Sequence, residues 1–405
     1  MTEPTAERKK NDMKAVKKSM IVIGTAGGFA LFLWSVYRLF NAKMINALSF
    51  VILAVGIALL ACGIASYVNC SREQKKLEKK NPGAKSAYLK AVDDVVGFGS
   101  RFRPVLIMLL VAAVFSCMHP RFLTMSNFLN ILKQNSHYGI LAAGVCFAIL
   151  LGGIDISVGS VLAFSGAVAA LIISTGGSVI FAILAAIAIG AVAGLMNGVF
   201  IARFKLQPMI VTLATMSIFR GATLVLTNGK SISLGKLAGS GMFKSIGQGS
   251  LGFLPVPVLL LIVTYAVVYY ILNMTSFGRH VYAIGGNEEA ARLSGINVER
   301  TKTLAHLMSG LLAGVAGILV TARVASATPT AGDGYEMDAI AAAVIGGISL
   351  RGGEGQVLFT IVGAVIIGML NNILNLMNVS SYYQTIIKGV VILIAVLLDA
   401  KSKEK

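Results

Sequence analysis

Residues 178–202 read SVIFAILAAIAIGAVAGLMNGVFIA, an apolar run of bilayer length that contains no charged side chain. A bilayer core about 30 Å thick needs about 20 apolar residues per helix, so this run predicts a membrane-spanning helix. The segment must be helical because lipid offers the backbone polar groups no other partner. The run therefore predicts an integral membrane protein of the all-α class.

Similar runs recur along the chain, which is 56% hydrophobic and 13% charged, with a mean hydropathy of +0.81. These values lie outside the range of soluble globular domains. The apolar segments fall at 19–40, 45–69, 104–118, 136–151, 157–175, 178–202, 207–227, 254–273, 304–322, 336–348, 356–376 and 382–399. The segments 136–151 and 336–348 are short, so each is a spanning helix, a half-helix or a re-entrant piece. We predict a polytopic helical membrane protein with about 10–12 transmembrane helices.

The basic residues predict how the chain is oriented, because Lys and Arg accumulate in short cytoplasmic loops. If the amino terminus is inside and all segments cross, most of the 35 basic residues lie in inside loops, and Lys388 lies within a segment. This predicts a multi-pass protein of the cytoplasmic (inner) membrane with both termini in the cytoplasm.

The chain has a net charge of +18, but its basic residues flank membrane segments and form no stripe with stacking aromatic residues. This arrangement excludes nucleic acid as a partner and favours membrane lipid. A basic linker near residues 72–90 separates the first two segments from the rest. We predict one region at 1–100, with a basic tail, two helices and this linker, and a second at 101–405.

Catalytic and metal-binding patterns are absent from the sequence. The stretch NGKS at 228–231 lacks the glycine that a phosphate-binding loop carries five residues before its Gly-Lys pair. The four histidines have no zinc-ligand spacing. We therefore predict no catalytic residues, no metal site and no enzyme activity, so any ATP hydrolysis must belong to another chain.

An internal repeat predicts broken helices. GGIDISVGSVL at 152–162 resembles GGISLRGGEGQVL at 346–358, and each follows a short apolar segment and precedes a longer one. Glycine-interrupted apolar segments at matching places in two halves are typical of transport pathways. The sequence leaves open whether the two copies are inverted in the membrane.

Four polar residues are candidates for the translocation pathway. Asp155 is expected either to line the pathway or to cap the helix that begins near Ser157. Asn371 and Asn372 lie inside an apolar segment, and are expected to bond either a solute hydroxyl or another helix.

The inside loop at 275–302 predicts a short polar helix that docks a partner. Asn287 suits the N-cap position, Glu288 and Glu289 lie where the helix dipole favours anions, and Gly295 suits the C-terminal end. The sequence EAARLSG at 289–295 resembles the motif by which permease subunits of ATP-binding-cassette importers engage their ATPases.

From about residue 122 to 401 the chain resembles the permeases of monosaccharide importers of this class, most closely those of the ribose type. The matching stretches are GIDISVGS at 153–160, GGNEEAARLSGINV at 285–298, PTAG at 329–332, GYEMDAIAA at 334–342 and VSSYYQ at 379–384. The resemblance implies a ten-helix importer permease core, to which the two N-terminal helices are an addition. It also implies that the coupling residues in loop 275–302 are Asn287, Glu288, Glu289, Ala290, Ala291, Arg292 and Gly295.

The resemblance further implies the partners of the chain. These are an ATP-binding subunit, an extracytoplasmic sugar-binding protein and a second permease copy, expected as a homodimer. No cofactor is expected on this chain, since ATP and Mg belong to the ATPase. The loop at 227–252 is expected outside, where it either meets the sugar-binding protein or is a plain solvated loop. The acidic stretch at 331–338, with Asp333, Glu336 and Asp338, is also expected outside, where its charge would complement that of a docked sugar-binding protein.

The expected function is translocation of a monosaccharide, with ribose as the expected sugar. The alternative is a secondary transporter that moves a small polar solute with an ion gradient. Such a transporter typically has more intramembrane carboxylates and basic partners than these segments contain. A membrane-embedded enzyme would need a nucleophile with its base or a metal cluster, and the sequence shows neither. A purely structural scaffold would not explain the docking motif.

Overall fold

A computed structural model describes residues 103–235 and 239–403 of the chain. The predicted helices at 19–40 and 45–69, the basic linker and the proposed region 1–100 lie outside the described residues. Helix α1 (Arg103–Met118) is a short apolar helix. From Arg121 onward the chain forms one compact unit.

The compact unit is almost entirely helical, as predicted. Its elements are α2 (Met125–Leu150), α3 (Val158–Ser174), α4 (Val179–Ala202), α5 (Pro208–Thr227), β1 (Ile232–Ser233), α6 (Ser240–Gln248), β2 (Ser250–Leu251), β3 (Leu254–Pro255), α7 (Val256–Met274), α8 (Ser276–Gly286), α9 (Glu288–Leu293), α10 (Val298–Val324), β4 (Ser326–Ala327), α11 (Tyr335–Ile345), α12 (Leu358–Leu376) and α13 (Ser381–Lys403). The strands form two small antiparallel pairs, β1 with β4 and β2 with β3.

Each predicted segment between 104 and 399 corresponds to a helix. Within the described residues, 5 helices are long and apolar enough to cross a membrane, namely α4, α5, α7, α10 and α12. The half-helix alternative is wrong for segment 136–151, because α2 runs for 26 residues from Met125. The predicted segment begins only at 136, because the first half of α2 carries polar residues such as Asn127, Asn130 and Gln134, which lower its hydropathy. The half-helix alternative is correct for segment 336–348, since α11 has only 11 residues.

The centre of the compact unit is the second half of α2. Every residue from Ser136 to Leu150 is buried, so this part of the helix is surrounded by protein on all sides. Helices α7, α10, α11 and α12 contact it. A helix enclosed on all sides in this way fixes the positions of its neighbours.

A glycine seam joins α4 to α10. Gly190, Gly194 and Gly198 recur at every fourth position of α4. The first two face Gly310 and Gly314 on α10, and Gly198 faces the Thr303 backbone. A Cβ on Gly190 would overlap the carbonyl oxygen of Gly310, and a Cβ on Gly310 would overlap that of Gly190. Small residues at this spacing let two membrane helices approach until their backbones touch. The seam therefore holds α4 and α10 as one rigid pair.

The loops of the compact unit gather at two ends. We call the end formed by residues 151–157, 203–207, 275–297 and 346–357 the coupling-loop end. Its segments touch: the Gly353 amide donates to the Leu150 carbonyl at 2.8 Å, and the Tyr282 hydroxyl donates to the Gly355 carbonyl at 2.9 Å. The opposite end contains 228–255 and 325–334, which β1 and β4 join.

Helix α11 starts in the middle of the bundle. Helices α11 and α12 have 11 and 19 residues and meet at the coupling-loop end. At a rise of 1.5 Å per residue they are about 16 and 28 Å long, so α11 begins about 12 Å short of the other end of α12. The chain from α10 must therefore re-enter the bundle before α11 begins.

Candidate functional site

The short helix α9 is defined by local capping interactions, as predicted. The Asn287 side chain accepts a hydrogen bond from the Ala290 amide at 2.9 Å, which caps the helix. Gly295 has a φ of +83°, a left-handed conformation that suits glycine and ends the helix. Asn297 then caps α10 by accepting from the Arg300 amide at 2.9 Å. The three elements α8, α9 and α10 are thus separated by sharp, well-defined turns.

One face of α9 anchors it to the bundle. Ala291 is buried against Ile284 and Val298. The Glu288 carboxylate pairs with Lys302 on α10 at 2.6 Å and with Arg292 one turn on at 3.1 Å. The hydrogen bond from Lys302 lowers the pKa of Glu288 below its usual range, so the carboxylate is ionised at neutral pH and both ion pairs persist.

The other face of α9 is free to meet a partner. Glu289, Ala290 and Arg292 are exposed, and the Leu293 side chain is 82% exposed. An apolar side chain displayed on a charged helix is typical of a binding anchor. Leu293 is not among the predicted coupling residues, although it lies inside the motif at 289–295.

Three glycine pairs meet beside α9, and we call this contact the glycine junction: Gly152–Gly153, Gly285–Gly286 and Gly352–Gly353. A Cβ on Gly285 would overlap the Leu150 carbonyl and the Gly353 amide. The two copies of the internal repeat therefore lie at the same end and touch each other, so they are not inverted. The junction connects the coupling loop directly to the turns that begin α3 and α12.

Asp155 and Ser157 form a buried network at the coupling-loop end. Asp155 Oδ1 accepts from the Ser157 amide at 3.0 Å and hydroxyl at 2.6 Å, and Oδ2 accepts from the Ser309 hydroxyl at 2.7 Å. The Asn197 amide donates to the Ser157 hydroxyl at 2.9 Å. The network joins α3, α4 and α10. Both carboxylate oxygens are used internally, which favours the capping interpretation of Asp155; its place on the pathway stays a prediction.

Replacing Asp155 with alanine should lower the stability of the folded chain by about 1–3 kcal/mol, because two buried hydroxyls and an amide lose their acceptor. The thermal unfolding midpoint of the purified chain in detergent measures this. Ser165→Ala is the matched control: the Ser165 hydroxyl is buried and has no hydrogen-bond partner among the described residues, so its removal should cost nothing. Equal midpoints for the two variants would contradict the network's role.

The two amides of α12 have different environments. The Asn372 side chain exchanges two hydrogen bonds of 2.9 Å with Asn127 on α2, which matches the helix-packing alternative. The side-chain oxygen of Asn371, Oδ1, is buried and has no hydrogen-bond partner within the described part of the chain. Asn371 therefore keeps an open acceptor, whereas Asn372 does not.

The stretch 331–338 does not form an acidic surface, contrary to expectation. Glu336 and Asp338 are buried, at 7% and 2% exposure, and only Asp333 is exposed. The Arg220 guanidinium donates to the Pro329 and Ala331 carbonyls at 3.0 and 2.8 Å, which holds the re-entrant loop inside the bundle. The error arose because the sequence did not reveal this re-entry.

An ion pair inside the bundle was not predicted. The Lys388 ammonium on α13 donates to the Asp338 carboxylate on α11 at 2.9 Å, and lies 6.0 Å above the Tyr138 ring. The rings of Tyr138, Tyr335 and His137 are mutually in contact, with centroids 4.1–4.9 Å apart. We call these five residues the mid-bundle cluster. The presence of Lys388 in an apolar segment was the sequence signal.

A bundle of apolar helices with a half-helix that begins inside it is typical of membrane permeases. The chain matches, over residues 127–396, the family described as branched-chain amino acid transport system / permease component, and it belongs to that family. It is a transport permease and not an enzyme.

Similar proteins include three named ribose import permease protein RbsC. The one from Haemophilus influenzae is 48% identical over 297 residues, which cover 73% of this chain and 92% of that protein. The one from Escherichia coli K12 is 46% identical over 301 residues, covering 74% and 94%. The one from Bacillus subtilis is 47% identical over 306 residues, covering 75% and 94%. No solved structure matches this chain.

Proposed function

We propose that this chain is the permease subunit of an ATP-binding-cassette importer that moves ribose across the cytoplasmic membrane. The observation that carries the proposal is the 46–48% identity to permeases named for ribose import, which extends over 92–94% of their length. The geometry of α9 supports it. A short, capped, exposed helix fixed to the bundle by Ala291 and Glu288 is suited to receive force from a partner.

In this proposal two ATP-binding subunits dock at the coupling-loop end, which faces the cytoplasm together with both chain termini. A sugar-binding protein docks at the opposite end, and a second copy of the chain completes the pathway. ATP and Mg bind the ATPase, and this chain carries no cofactor. Closure of the ATPases would move α9 and alternate the access of the pathway.

The coupling residues divide into two roles. Asn287, Ala291 and Gly295 shape α9 and seat it, whereas Glu289, Ala290 and Arg292 meet the ATPase, with Glu288 shared between both roles. Of the proposed pathway residues, Asn371 has an open acceptor. Asp155 and Ser157 are fully hydrogen-bonded within the protein and act by positioning α3.

Docking at α9 can be tested by purifying the tagged full chain from its own membranes in mild detergent. An ATP-binding subunit should copurify with the natural chain, be reduced with Glu289→Ala, and be lost with Gly295→Pro, because proline cannot adopt a φ of +83°. Glu299→Ala is the matched control, since Glu299 is also an exposed carboxylate but lies on α10. Equal recovery of the ATPase with Gly295→Pro would remove α9 from the docking site.

The sugar is tested with the purified complex in proteoliposomes. We expect ATP-dependent uptake of labelled ribose that unlabelled ribose inhibits more strongly than allose, since a permease named for D-allose transport is only 37% identical. Uptake that needs an ion gradient and no ATP would favour the secondary-transporter alternative instead.

A further inference from the structure

Among the ion pairs of the described residues, only the one in the mid-bundle cluster has a buried carboxylate, Asp338. We propose that Tyr138, Tyr335, Asp338 and Lys388 form a contact site for the transported monosaccharide halfway across the membrane. This inference rests on the proposed function and assigns a place in the pathway where the sugar is held.

The position of the cluster fits a pathway. Tyr335 is the first residue of α11 and Asp338 lies in its first turn, so both are near the depth at which the half-helix begins. Half-helices that start near the membrane midplane are a recurring feature of transporter binding sites. The cluster thus lies about equally far from the two ends of the bundle.

The charges in the cluster need an explanation beyond stability. The Asp338 and Lys388 side chains are 4% and 25% exposed, and they pair between two helices. A buried ion pair is seldom more stabilising than apolar residues of the same volume. Ionisable groups inside membrane helices commonly mark substrate pathways. A functional role therefore accounts for this pair better than packing does.

The cluster keeps polar groups available for a ligand. The Lys388 ammonium has three donors, of which one is donated to Asp338. The His137 Nε2 is buried and has no hydrogen-bond partner among the described residues. The two tyrosine rings meet edge to face, with centroids 4.9 Å apart. Polar groups beside aromatic faces suit a small ring that carries hydroxyl groups on an apolar frame.

A polar track leads to the cluster from the opposite end. Asn130, Gln134 and Tyr138 follow one another at every fourth position of α2, and Gln134 donates to Asn130 at 2.9 Å. The track begins at a cleft of 670 Å³ lined in part by Asn127, Asn130 and Lys133. On α13, Gln384 and Lys388 have the same spacing. Polar side chains thus recur along α2 and α13 from the level of the cleft to the level of the cluster.

The ion pair of the cluster favours a neutral ligand. Asp338 and Lys388 neutralise each other, so an ion of either sign would disrupt the pair. The Arg323 guanidinium, which donates to the Gln134 carbonyl, adds a positive charge beside the polar track and disfavours cations further. A neutral sugar can instead share the unused Lys388 donors and the Tyr138 hydroxyl, which otherwise donates to the Asp338 carboxylate. Because few groups are free, the contact should be weak, which suits a site that must release its ligand.

The test uses the complete complex with its ATPase and sugar-binding protein in proteoliposomes, and measures labelled ribose uptake alongside ATP hydrolysis. Tyr138→Phe should lower the maximal uptake rate by about fivefold, because it removes one hydrogen bond. The neutral double variant Asp338→Asn with Lys388→Gln should lower it by more than about tenfold. ATPase copurification and stimulation of hydrolysis by the binding protein should remain, since both depend on the ends of the bundle.

Tyr270→Phe is the matched control, because Tyr270 is a 62% exposed tyrosine of α7 away from the track; its uptake should equal that of the natural chain. An uptake rate of Tyr138→Phe equal to that of the natural chain would overturn the proposal. Full recovery of uptake by the charge swap Asp338→Lys with Lys388→Asp would also overturn it, since the ion pair would then only hold α11 to α13. A natural complex that moves no monosaccharide would overturn the proposed function, and this site with it.

Discussion

Replacing Gly194 with valine should prevent the chain from accumulating as a folded membrane protein. A Cβ at this position would overlap the His306 carbonyl oxygen and lie 3.0 Å from the Leu307 Cα. The obstacle is backbone, which no rotamer change can relieve, so the cost should exceed about 3 kcal/mol, the upper end of ordinary overpacking. Helices α4 and α10 would then have to separate, and with them the network of Asp155 and Ser309.

The measurement is the yield of monodisperse protein after extraction in mild detergent. Gly221→Val is the matched control: Gly221 is also inside an apolar helix, α5, but a Cβ there would meet no described atom within 4 Å. Both substitutions replace glycine with valine inside a helix and so change helix propensity equally. The difference between them therefore reports only the contact between α4 and α10. If the two variants are recovered in equal amounts, the glycine seam does not hold the bundle together.

The parts of the structure that the sequence predicts well are those that depend on local chemistry. Bilayer-length apolar runs predict the membrane helices. Asn287 and Gly295 predict the two ends of α9, because capping and left-handed turns involve residues only a few positions apart. The first half of α2 was missed because its amides lower hydropathy, although several of them bond within the protein.

What the sequence does not reveal depends on long-range packing. Lys388 and Asp338 are 50 residues apart, and nothing local places them together. The sequence predicts an outside loop after α10, because a re-entrant chain and a surface loop have similar composition. The relative orientation of the two glycine repeats was likewise open until their turns were seen in contact, with Gly353 donating to Leu150.

Gly285→Ala should reduce sugar uptake by more than about tenfold. The added methyl group would overlap the Leu150 carbonyl and the Gly353 amide at the glycine junction. Helix α8 would have to move away from the turns that begin α3 and α12, so movement of α9 would no longer reach them. Since α9 keeps its own caps at Asn287 and Gly295, the ATP-binding subunit should still copurify.

The chain supplies its own control one residue further on. A Cβ on Gly286 would meet no described atom within 4 Å, so Gly286→Ala should transport at the natural rate. The measurement compares ribose uptake and ATP hydrolysis for the two variants in proteoliposomes. Hydrolysis that continues without uptake only in Gly285→Ala would locate the transmission step at the glycine junction. Unchanged uptake in Gly285→Ala would mean that coupling passes from α9 through α10 instead, by way of the pair between Glu288 and Lys302.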